Sequence, residues 1–97
     1  MRLIFHRLIR EDLRQVLTHY RREAGDKLSD QFYEEFERLT KQVGRMPRRF
    51  HFSTETLRRA NFPRFPYHLL YRETADEVRI LVLRHHRRHP RHGLERE

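Results

Sequence analysis

The segment Tyr67–Leu83 limits the folds open to this chain more than any other stretch. Tyr67, Leu69 and Tyr71 alternate with His68 and Leu70, the period-two pattern of a strand with one face more buried than the other. Thr74-Ala75-Asp76 follows as a short turn. Val78 to Leu83 is then β-branched and apolar almost without break, as expected of a strand covered on both faces. The two strands predict a β-hairpin. Its second strand emerges into Arg84-His85-His86-Arg87-Arg88-His89-Pro90, where apolar packing stops and charge begins. A rigid sheet that delivers cationic and titratable side chains at a strand end is a natural place for function.

The flanking segments supply the support. Residues 2–6 predict a first strand with Leu3 and Phe5 on one face. Leu13, Val16, Leu17, Tyr20 and Ala24 recur at three- and four-residue steps and so share one face of a helix. Glu11 and Asp12 near its start and Arg21 and Arg22 near its end suit the helix dipole. Gly25-Asp26 breaks the pattern. A second helix over 27–45 carries the stripe Leu28, Phe32, Phe36, Leu39 and Val43, whose aromatic members read as core. Two amphipathic helices joined so closely predict an antiparallel hairpin whose apolar faces cover the sheet. Gly44 and Pro47 end the helices, and residues 46–56 form a polar connection with Phe50 and Phe52 tucked against the body. Leu57 to Phe62 is a further strand, closed by Pro63, and Pro66 opens the next. Residues 91–97 are polar and are expected to fray. The order is β-α-α-β-β-β: an α+β fold, with the helical hairpin packed on a mainly antiparallel four-stranded sheet, in a single domain over 1–97.

The chain has no cysteine, which excludes disulfides and thiolate metal sites. No apolar run approaches the roughly 20 residues of a membrane span, and the first residues look like a strand rather than a signal peptide, so a cytoplasmic setting is expected. The net charge is +8, and most of it lies in the second half: residues 1–46 carry +2 and residues 47–97 carry +6. Only Lys27 and Lys41 are lysines; the remaining basic residues are arginines. Arginine suits bidentate contact with phosphate or carboxylate, so this surface should be drawn to nucleic acid or to an acidic protein. A genome-wide preference for Arg codons also accounts for the Arg-over-Lys choice, but not for the asymmetry of charge.

The string Leu57-Arg58-Arg59, then Phe65-Pro66-Tyr67-His68-Leu69-Leu70-Tyr71, then Val78 to Leu83, then His85 or His86 with Arg87-Arg88 and Pro90, resembles the RelE/ParE superfamily of bacterial toxins. Glu11-Asp12-Leu13 fits its less specific helix opening, and the resemblance covers essentially the whole chain. Where many related sequences carry an aromatic residue after the Arg-Arg-x-Pro segment, this chain has Arg91-His92-Gly93-Leu94. The resemblance implies a growth-inhibiting toxin neutralised by a cognate antitoxin, in a hetero-oligomeric complex. One branch of the superfamily cleaves mRNA on the ribosome; another poisons DNA gyrase and has no nuclease activity.

For the nuclease branch the resemblance implies metal-independent cleavage, with no cofactor. Such chemistry needs a base for the 2′-hydroxyl, an acid for the leaving 5′-oxygen, and cations for the transition state. Glu55 and His86 match in position a carboxylate and a terminal histidine of one nuclease group. The implied roles are Glu55 or His68 as base, His86 as acid, and Arg59, Arg84, Arg87 and Arg88 on substrate phosphates. Each residue has a plainer reading. Glu55 also fits a solvated loop carboxylate, His68 a residue on the sheet's exposed face, and Arg87 and Arg88 a solvated basic tail. His85 and His86 have opposite strand parity, so only one of them faces a given site.

Overall fold

The computed structural model describes residues 1–97 and contains the elements in the expected order. They are β1 (Arg2–Phe5), α1 (Ile9–Ala24), α2 (Asp26–Arg45), one turn of 3-10 helix (Pro47–Arg49), β2 (Arg58–Asn61), β3 (Tyr67–Glu73) and β4 (Glu77–His85). The strands form one sheet in the order β1-β4-β3-β2. β1 runs parallel to β4, and the other two pairings are antiparallel. No helix is long and apolar enough to cross a membrane.

Gly25 alone joins the two helices. Its φ of 91° reverses the chain in one residue, and its N–H still bonds the Arg21 carbonyl at 3.1 Å. A side chain there would be strained, which is why the sequence places glycine at this point. The helical stripes then meet the sheet. Phe32 is fully buried; it stacks on Phe62 at 4.6 Å and meets Phe65 and Tyr67 edge-on. Burial of a side chain of this size contributes about 2–3 kcal/mol, so α2 is held mainly by this aromatic cluster. Gly44 does not end α2 as its sequence position suggested. It lies inside the helix, where the missing side chain lets Leu3 of β1 approach to 3.5 Å of the Cβ position.

β4 is covered on both faces. Val78, Ile80 and Leu83 join Leu69, Tyr71 and the helices in the main core, while Leu57, Leu70, Leu81 and Val82 form a second apolar cluster. A bulge divides the two sets. Leu70 pairs with Val82 and Tyr71 with Ile80, so Leu81 is the extra residue, and the alternation resets beyond it.

β1 covers the edge of β4 only from Glu77 to Ile80. Beyond that point two side chains finish the edge. Asp12 of α1 accepts the Leu83 N–H at 3.1 Å, and Arg96 donates to the Leu81 carbonyl at 3.0 Å. The two pair with each other at 2.6 and 3.1 Å. The segment after β4 is therefore docked and does not fray. Arg84 holds it from the other side by donating through Nη1 to the carbonyls of His89, Pro90 and His92 at 3.3, 2.8 and 2.9 Å. Gly93, with φ of 83°, lets the strap approach β4: a Cβ there would fall 2.3 Å from a Val82 methyl.

A third expectation is also revised. Phe50 packs against the core near Tyr71, but Phe52 is 55% exposed. The Arg58 guanidinium covers the Phe52 ring at 4.0 Å, so a cation–π contact replaces burial.

Candidate functional site

Strand pairing brings four of the proposed site residues together. His68 lies opposite Arg84 on β3 and β4, and Asn61 of β2 lies opposite His68. Arg59 sits two residues before Asn61 and so shares its face of the sheet. His86 follows the end of β4 and turns back over the same face, with its N–H bonded to the Pro66 carbonyl at 2.9 Å. Parity holds for the adjacent histidines: His86 meets His68, whereas His85 packs edge-on against Tyr67 of the helix-facing core at 4.9 Å.

The four side chains form one hydrogen-bonded chain. Arg84 Nε donates to His68 Nε2 at 2.9 Å. His68 Nδ1 and His86 Nδ1 are 2.9 Å apart, and Arg59 Nη2 lies 3.1 Å from His86 Nδ1. Guanidinium groups only donate, so His68 Nε2 must be an acceptor. The His68 proton is then on Nδ1, which donates to His86. His86 Nδ1 accepts from both neighbours, and the His86 proton is on Nε2. The ring centroids are 5.1 Å apart with planes only 15° from parallel. With so short an N–N distance, the rings meet edge to edge, the geometry this hydrogen bond requires.

Both imidazoles are thus held neutral. Burial, reinforced by the charges of Arg59 and Arg84, pushes the His68 pKa down to about 3. Burial and Arg59 also lower that of His86. His68 is 1% exposed, because His86 and Arg84, with Arg59 beside them, close over the face that the sequence suggested would be open. Arg84 is buried as well; its Nε is engaged by His68 and its Nη1 by three strap carbonyls. Arg59 also donates to Asn61 at 2.8 Å. His86 is exposed and keeps one solvent-facing edge.

The remaining proposed residues lie elsewhere. Glu55 is exposed in the turn closed by the Ser53 and Thr54 N–H groups on the Leu57 carbonyl, and no hydrogen bond or ion pair joins it to the histidines. Arg87 and Arg88 line an open groove of about 420 Å³ between α1 and the end of β4, which Arg84 joins to the cluster. His19, His85 and His92 line it too. Sequence reading passed over His19, although it shares a helical face with Asp12 and Val16 at the same three- and four-residue steps that marked the core stripe. No three His, Asp or Glu side chains converge as a metal site.

Comparison with known proteins places this geometry in a lineage. A solved structure described as the chromosomal ParDE TA system from P. aeruginosa superposes with a TM-score of 0.78 at 18% identity, over 88% of this chain and 95% of that one. That likeness extends to the fold. Among curated proteins no sequence matches. Residues 3–90 match the family model described as the ParE toxin of the type II toxin-antitoxin system, parDE. The match takes in both helices and, but for Arg2, all four strands, and ends within the docked strap at Pro90. The chain therefore belongs to the ParE family of type II toxin–antitoxin toxins.

Proposed function

We propose that this protein inhibits growth by binding DNA gyrase, without cleaving RNA, and that a cognate antitoxin holds it silent. Family membership supports the gyrase branch. The observation that carries the choice is the proton inventory of the histidine pair. A histidine serves as an effective general acid as the imidazolium, whereas His86 is held as the neutral imidazole, with Nδ1 accepting from His68 and Arg59 and its pKa lowered by burial and by Arg59. His68 is buried with both ring nitrogens engaged, and Glu55 stands apart. On this reading the cluster is a structural clasp, and toxicity resides in the surface.

The antitoxin, on this proposal, brings an acidic segment that orders on the Arg-rich face, since a chain of charge +8 has few other ways to neutralise that surface. The test is a supercoiling assay with purified gyrase, run with the parent protein and with His86→Ala. Inhibition and accumulated cleaved DNA are expected from both. Gyrase that supercoils normally in the presence of the toxin would overturn the proposal.

One observation favours the ribosome-dependent nuclease as a second reading: exposed His86 lies beside Arg59, an imidazole next to a candidate phosphate clamp. Primer extension on mRNA from cell-free translation separates the two. Intact message is expected; new 5′ ends inside codons, lost in His86→Ala, would establish the nuclease.

A further inference from the structure

The groove between α1 and the end of β4 is built from donors. Its lining includes Arg87, Arg88, His19, His85 and His92, and neither arginine has an ion-pair partner among the salt bridges of the fold. The one carboxylate in the wall, Asp12, is fully engaged by the Leu83 N–H and by both terminal nitrogens of Arg96. The groove therefore offers positive charge with no unspent acidic group to answer it.

Its shape is fixed by the strap. Arg84 gathers three strap carbonyls, Arg96 locks the far end to Asp12, and Gly93 allows close contact with Val82. The His85 ring is oriented by the Arg87 N–H, which donates to its Nδ1 at 3.0 Å. Arg87, Arg88 and His92 thus project from a held backbone. The groove also continues along α1, because Gln15 and His19 line it together with a second concavity that reaches Arg14, Thr18 and Arg22, two arginines against the single carboxylate Glu23. From Gln15 to Arg22 is about 10 Å by helical rise. That length spans about two successive phosphates of one DNA strand, which lie farther apart along the backbone than their axial rise of about 3.4 Å.

We infer that this groove binds the phosphate backbone of duplex DNA. Elongation selects a polymer over a single ion, and the guanidinium fork of arginine matches phosphate oxygens in pairs. The inference deepens the gyrase reading and rests on it for its setting: a toxin on gyrase would hold the enzyme's DNA segment directly through Arg87 and Arg88.

The experiment is fluorescence anisotropy of a short labelled DNA duplex with the purified protein, across a salt series and without gyrase. The parent protein is compared with the Arg87→Ala/Arg88→Ala double variant, whose fold is checked by thermal melting. The expected result is binding that weakens with salt, lost on the order of tenfold or more in the double variant, with a log–log salt slope shallower by about two. No binding by the parent at low salt would overturn the inference, as would equal affinity and slope in the double variant. Binding of a polyglutamate peptide in place of the duplex would overturn it in favour of an acidic protein segment. Because gyrase is absent, failure here leaves the supercoiling result standing, and failure of that assay leaves DNA binding standing.

Discussion

His68 is held neutral by an arginine that donates to it, and that fact sets how the fold responds to acid. Its folded pKa, about 3, lies far below the 6.5 of an exposed histidine. Above pH 6.5 neither state takes the proton, and stability is flat. As the pH falls from 6.5 towards 3, the unfolded chain takes a proton that the native site refuses, and stability is lost. The loss by pH 5 is roughly 2 kcal/mol from this residue alone, with a further contribution in the same direction from His86. Urea titrations at pH 5 and pH 7.5 measure it. His68→Gln keeps an acceptor for Arg84 and a donor for His86 but cannot titrate, so its pH dependence should be markedly flatter. A slope equal to that of the parent would place the proton elsewhere. Gly93 is the other residue on which much depends. Gly93→Ala adds a methyl within 2.3 Å of Val82 at a positive φ, and should cost about 1–3 kcal/mol. Thermal melting reports it.

At the scale of the element, the strap and α1 together complete β4 where β1 falls short. Removing Arg96 leaves the Asp12 carboxylate close to buried without its cation, since both side chains are only about a tenth exposed. Arg96→Ala should therefore cost about 3 kcal/mol, and the Leu83 amide should exchange with solvent faster as its acceptor loosens. An amide protected as in the parent would show that Asp12 holds the edge alone. This is also where sequence reading was weakest. The helices were legible because their stripes are local: Leu13 to Ala24 and Leu28 to Val43 each declare a face within one element. β3 and β4 declared themselves by alternation and by unbroken apolarity. Asp12 and Arg96, in contrast, lie 84 positions apart, and nothing local to either marks the other. The bulge at Leu81 arises from the pairing of two strands and has no signature in one. Of the site, the opposite facing of His85 and His86 was legible from strand parity, and the candidate roles of His68, His86, Arg59 and Arg84 were legible only through the resemblance. Their mutual consumption was not, because it depends on which nitrogen faces which guanidinium.

At the scale of the molecule, the sheet order puts β4 between β1 and β3, so both halves of the chain close on one strand. A fragment ending at residue 76 keeps both helices and three strands but lacks the strand to which β1 pairs. It also leaves the β4-facing edge of β3 unpaired. Such a fragment should lack a cooperative thermal transition; a melt comparable to that of the parent would show that the helical hairpin and β2–β3 form a stable unit alone. The charge distribution acts at the same scale: with +6 in residues 47–97, association with any acidic partner should weaken steeply with salt.

The central place of β4 has a consequence in time. A ribosome adds about 5–20 residues per second, and β1 emerges long before the strand that will receive it. The growing chain carries an unpaired first strand and a helical hairpin without its floor until residues 77–85 appear, and its basic groove has no outer wall until residues 87–96 follow. The fold thus stays incomplete until residues 77–96 have been made. An antitoxin already present has that interval to be waiting.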